Sequence, residues 1–90
     1  MNTDQKILQG LKNGDITAFK TLINEYSEDM VILAYSIIGD PVKANDIVSD
    51  VLYRLWKDGR EKEIETPLST YLYKQVKFEC VKKNPEIEAR

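Results

Sequence analysis

An all-α fold, a small bundle of about four helices, follows from two features of the sequence. Apolar residues recur at steps of three and four along most of the chain. The interruptions between these runs, Asn13-Gly14, Gly39-Asp40-Pro41 and Asn84-Pro85, are helix-stopping and helix-starting signals. No segment sustains the alternation of a half-buried strand. Ninety residues, 42% of them hydrophobic, suffice for one domain with a modest core and exceed what a disordered chain would carry.

The first helix is expected over Asp4–Lys12, with Ile7, Leu8 and Leu11 on its inner side and Asn13-Gly14 ending it. Asp15 then offers an N-cap for a segment from Ile16 to about Ile38. Its stripe runs through Ile16, Phe19, Leu22, Ile23 and Tyr26, then Met30, Leu33, Ala34, Ile37 and Ile38. Ser27-Glu28-Asp29 is either a break between two helices or a polar turn within a single long one.

Gly39 suits the left-handed position after a helix, Asp40 caps the next, and Pro41 is pre-set for its first turn. The third helix spans Pro41 to about Lys57. Ala44, Ile47, Val48, Val51, Leu52 and Leu55 form its core stripe, and Asp46, Ser49, Asp50, Tyr53 and Lys57 lie opposite. Asp58–Glu65 is a charged loop with Ile64 as its only tack. Thr66-Pro67 opens a fourth helix that Asn84-Pro85 ends, and Glu86–Arg90 reads as a frayed tail.

Thirteen Lys and Arg stand against fifteen Asp and Glu, a net charge of −2, which does not suit a protein that coats a polyanion with its whole surface. The charges are unevenly placed: residues 1–40 are acidic, whereas Lys74–Lys83 holds four Lys and one Glu. The chain has no His and its one Cys is Cys80, which excludes a His-based triad or general base and the usual zinc sites. Cys80 falls on an apolar stripe and reads as a small hydrophobe. A lone Cys fits a reducing, cytoplasmic setting. No apolar run approaches the roughly 18 residues of a membrane span, and Met1–Lys6 lacks the layout of a secretory signal. No cofactor is expected.

Two surfaces are candidates for function. On the fourth helix, Leu72, Tyr73, Val76 and Cys80 form a core stripe, while Tyr71, Lys74, Phe78, Val81 and Lys82 gather on the far side with Lys77 between. Exposed rings beside lysines suit single-stranded nucleic acid, the rings stacking on bases and the ammonium groups meeting phosphates. The competing reading is a second packing face. On the third helix, Asp46 and Asp50 stand one turn apart beside Ser49 and Tyr53, with Trp56 at the margin, a pattern that suits a basic partner. Its competing reading is an ordinary solvated face. No third acid or base accompanies the pair, so a catalytic role is not expected and the protein is not read as an enzyme.

The series Leu11-Lys12-Asn13-Gly14-Asp15, Ala18-Phe19, Leu22-Ile23, Tyr26, Ala34, Ile37–Asp40, Ala44–Trp56 and Thr70–Lys77 resembles the second conserved region of the extracytoplasmic-function sigma factors of bacterial RNA polymerase. The resemblance covers about residues 6–81 and implies a helical domain that binds core polymerase and contacts the melted minus-ten element. By position it assigns Asp46, Ser49, Asp50, Tyr53 and Trp56 to the clamp helices of the beta-prime subunit. It assigns residues 57–66 to a loop that accepts a flipped base, and Tyr71, Lys74, Lys77 and Phe78 to the non-template strand. An anti-sigma protein is a further partner the resemblance allows.

The departures fall mostly on the DNA side. Phe78 stands where the family usually has Asn, Pro85 breaks the helix early, and Glu61, Glu63 and Glu65 put negative charge in the loop. Asn45, Ser49 and Asp50 are milder changes in the docking helix. The family's second domain, which reads the minus-thirty-five element, is not expected within this length, so the chain is either an excised fragment or a protein retaining the polymerase-binding half. The alternative function is a DNA-silent helical module that binds polymerase or a regulator.

Overall fold

A computed structural model describes residues 3–59, 63–64 and 67–87. The described residues form four α-helices, α1 (Thr3–Lys12), α2 (Ile16–Ile38), α3 (Pro41–Asp58) and α4 (Leu68–Lys83), followed by a 3-10 turn at Pro85–Ile87. The 23-residue α2 packs against each of the other three helices, and α3 also packs on α4. The bundle is elongated, 41 × 21 × 20 Å.

Local chemistry sets most of the boundaries. The Asp15 carboxylate accepts a hydrogen bond from Thr17 N at 2.9 Å, and Asp40 accepts from Val42 N and Lys43 N at 2.9 and 3.2 Å, so both N-caps form as expected. Gly39 ends α2 with φ 76°, a conformation that costs a residue with a Cβ far more than glycine, and its N–H donates to Tyr35 O. Helix α2 is continuous through Ser27-Glu28-Asp29, which are a polar stretch on one helix and not a break. Where α1 crosses α2, a Cβ on Gly10 would lie 2.3 Å from that of Ala18, so this close approach requires glycine.

The core is Ile7 and Leu11 of α1, Leu22, Met30 and Ala34 of α2, Ala44, Ile47, Val48, Val51 and Leu55 of α3, and Leu68, Leu72, Val76 and Cys80 of α4. The α3 stripe is the expected one, with Leu52 half-buried at its edge. Ile16 is an exception on α2: at 53% exposure it lies outside the core.

Helix α4 starts differently from the expected cap-then-proline. Pro67 occupies the N-cap position and makes no side-chain cap bond, while Thr66 lies outside the described residues. The cap comes from α1: Asp4 Oδ2 accepts from Leu68 N at 3.0 Å, and Asp4 Oδ1 accepts from Tyr26 Oη at 2.5 Å. One carboxylate therefore joins α1, α2 and the start of α4. The other end stops at Lys83 as Asn84-Pro85 requires, but Pro85, Glu86 and Ile87 form a 3-10 turn where a frayed tail was expected; residues 88–90 lie outside the described part.

Candidate functional site

The docking candidates are positioned by how α3 buries its opposite side. Ala44, Ile47, Val48, Val51 and Leu55 face the core, which leaves Asp46, Ser49, Asp50 and Tyr53 exposed along the outer ridge. Tyr53 is 68% exposed, a large ring without a covering side chain, and Val42 one turn before Asp46 is 69% exposed. Trp56 differs from its neighbours: it is half-buried and packs on Phe19 of α2 with ring centroids 5.1 Å apart and the planes at 44°. Its ring is largely occupied in joining α2 to α3.

The strand candidates divide in the same way. Lys74 and Lys77 are exposed, and Phe78 is 63% exposed beside them. Tyr71, in contrast, is half-buried against the core, so its ring serves packing as well as the surface. The stripe of α4 is rotated from its expected position: Leu68, Leu72, Val76 and Cys80 are buried together with Glu79, whereas Tyr73 is only half-buried. Burial, followed by the nearby Asp29 carboxylate of α2, raises the Tyr73 pKa. Cys80 is fully buried and unpaired, and burial raises its thiol pKa with help from the Glu79 charge, which suits the packing role expected of it.

Sequence reasoning missed a pair of ionic links between α3 and α4. Arg54 Nη2 lies 2.6 Å from Glu79 Oε1, with the Glu79 side chain 3% exposed and that of Arg54 41%. Lys83 Nζ lies 2.5 Å from Asp50 Oδ2, both side chains partly exposed. Along α4, Leu68, Leu72, Val76, Glu79 and Lys83 follow at steps of three and four, so the buried row becomes charged over its last turns, where α3 offers Arg54 and Asp50. That spacing is the available signal. It is easily passed over because charged residues on a helix ordinarily face water.

Of the charged loop, Glu63 is described: it is exposed and paired with Lys12 at the end of α1, whose hydrogen bond and charge lower its pKa. Glu61 and Glu65, with half of the segment expected to accept a flipped base, lie outside the described residues. Among the described residues there is no cluster of potential metal ligands and no helix long and apolar enough to cross a membrane.

No curated protein matches the chain, and no solved structure does. The model of the family described as Sigma-70 region 2 matches residues 22–83, which takes in α2 from its second turn and all of α3 and α4. That family is one of transcription-initiation factors and not of enzymes. With well over half of its length matched, and with an all-helical bundle lacking strands among the described residues, the chain belongs to the sigma-70 region 2 family.

Proposed function

We propose that this sigma-factor domain is of the extracytoplasmic-function type, that it binds the beta-prime clamp helices of core RNA polymerase through α3, and that it holds the melted minus-ten non-template strand on α4. The observation carrying the docking half is the outer ridge of α3, where Asp46, Ser49, Asp50 and Tyr53 are all exposed while the helix's apolar side is buried. Partly exposed carboxylates one turn apart suit arginines of a partner helix, and a neighbouring aromatic ring supplies contact area. Trp56 supports the ridge by fixing α3 on Phe19.

Strand binding rests on Lys74, Lys77 and Phe78, with the open part of Tyr71 alongside. One exposed ring beside ammonium groups suits a stacked base and a neighbouring phosphate.

For docking, Asp50→Arg is expected to lower affinity for core polymerase at least tenfold with the helical circular dichroism unchanged; unchanged affinity overturns the assignment. For the strand, Lys74→Glu with Lys77→Glu is expected to weaken binding of single-stranded minus-ten DNA and to reduce its salt slope by roughly 1.4, about 0.7 for each phosphate no longer neutralised. A second reading, a helical module that binds polymerase or an anti-sigma regulator without reading DNA, is favoured by the half-burial of Tyr71. It replaces the strand assignment if the unmodified chain shows no salt-sensitive binding to that DNA.

A further inference from the structure

The docking ridge and the strand-binding helix are physically tied through Lys83. We propose that Lys83 is an internal competitor for the docking carboxylate: it occupies Asp50 in the free domain, and a basic group of the polymerase that takes Asp50 releases Lys83 to the nucleic-acid strand. The inference rests on the docking and strand assignments above and adds a residue that neither contains.

The geometry makes one cation common to both surfaces. Lys83 is in the last turn of α4, and its Nζ lies 2.5 Å from Asp50 Oδ2 of α3. The residue also forms part of the wall of two neighbouring surface concavities. One is lined by Ile38, Asp46 and Ile47 among others, and the second by Asp50, Tyr53, Arg54 and Glu79. Both therefore border the ridge, and an incoming side chain seated in either meets Lys83. The hydrogen bond to Asp50 is the foremost cause of a raised Lys83 pKa, with the charges of Asp50, Glu79 and Asp46 acting the same way, so the ammonium form is the one engaged.

Competition of this kind requires a weak internal pair, and the Lys83–Asp50 pair has that character. Its side chains are 43% and 52% exposed, in contrast to the neighbouring Arg54–Glu79 pair, whose carboxylate is enclosed. An exposed pair contributes little in water and is screened by salt. A guanidinium with two parallel donors outcompetes a single ammonium for the same carboxylate. Arg54 stays behind with Glu79 and keeps α3 registered on α4 while the outer pair exchanges partners. Once displaced, Lys83 is freed beside Lys82 in the last turn of α4, so polymerase docking raises the positive charge at that end of the strand-binding helix by one.

The test titrates the full 90-residue chain with core polymerase, and separately with single-stranded minus-ten DNA over a range of salt. Lys83→Met removes the competitor and is expected to tighten polymerase binding about twofold to fivefold at low salt, the gain shrinking as salt rises. Asp50→Asn frees Lys83 and is expected to steepen the salt slope for DNA by roughly 0.7, a change abolished in the Asp50→Asn, Lys83→Met double variant. If Asp50→Arg weakens docking while Lys83→Met leaves it unchanged or weakens it, the competition is refuted and the docking ridge stands. If Asp50→Arg has no effect, the ridge and the competition fall together. A DNA salt slope that Asp50→Asn leaves unaltered refutes the transfer of Lys83 to the strand.

Discussion

The two ends of α4 are held by different chemistry. At its start, about 23 Å from its end at the usual rise per residue, one carboxylate from α1 accepts hydrogen bonds from the Leu68 amide and the Tyr26 hydroxyl, in a part-buried knot of three helices. At its finish, two ion pairs of opposite polarity cross to α3, one enclosed on its acidic side and one open to water. Part-buried hydrogen bonds respond little to salt, whereas exposed charges are screened and exchange partners readily. The bundle is thus fixed at one end of α4 and adjustable at the other, which lies beside the proposed docking ridge.

The largest effect expected from disturbing this arrangement is at Arg54. Removing it by Arg54→Met strands the Glu79 carboxylate between α3 and α4, and loss of one partner from an enclosed pair typically costs about 3 kcal/mol or more. Glu79→Met leaves Arg54, already 41% exposed, free to turn to water, and places an apolar chain where the core expects one. Its cost is expected to stay within about 1 kcal/mol, because replacing a buried charge by a well-packed hydrophobe is often neutral or stabilising. Urea unfolding of the two variants measures the asymmetry. Equal costs would mean that Glu79 is solvated and that the inner pair is no more a fixture than the outer one.

How much of this is legible in the sequence depends on how far apart the interacting residues lie. Asp15, Asp40 and Gly39 act on backbone groups within a few residues, so the spacing of caps and stops locates α2 and α3 almost to the residue. The outward ridge of α3 follows from the same periodicity, since burying Ala44, Ile47, Val51 and Leu55 leaves Asp46, Ser49 and Tyr53 outside. Helix α4 is less legible. Its cap comes from a residue 64 positions earlier, and its stripe includes a glutamate that is tolerable inside only because Arg54 on another helix meets it. Periodicity alone places Tyr71 outside, whereas the true rotation of α4, set by Leu68 and Glu79, draws that ring half inside.

A smaller and more selective change probes the fixed end. Tyr26→Phe keeps the ring in place and removes the hydroxyl that donates to Asp4, so at neutral pH it is expected to cost about 1.5 kcal/mol, the scale of a hydrogen bond to a charged acceptor. Burial first, and then the hydrogen bond to Asp4 and its charge, push the Tyr26 pKa up to about 12, against a value near 10 in an unfolded chain. A folded-state pKa raised above the unfolded one means that the hydroxyl's contribution is fully present below about pH 10. It is lost between there and 12, because the unfolded chain sheds its proton first. Tyr73, shifted in the same direction by burial and Asp29, is retained in both proteins, so the difference between them isolates Tyr26. Urea midpoints of the two proteins should therefore lie apart at pH 7 and 9 and converge toward pH 11. A gap that stays constant across that range would show that the phenol does not donate to Asp4, and the knot would then reduce to the single cap that Asp4 gives to Leu68.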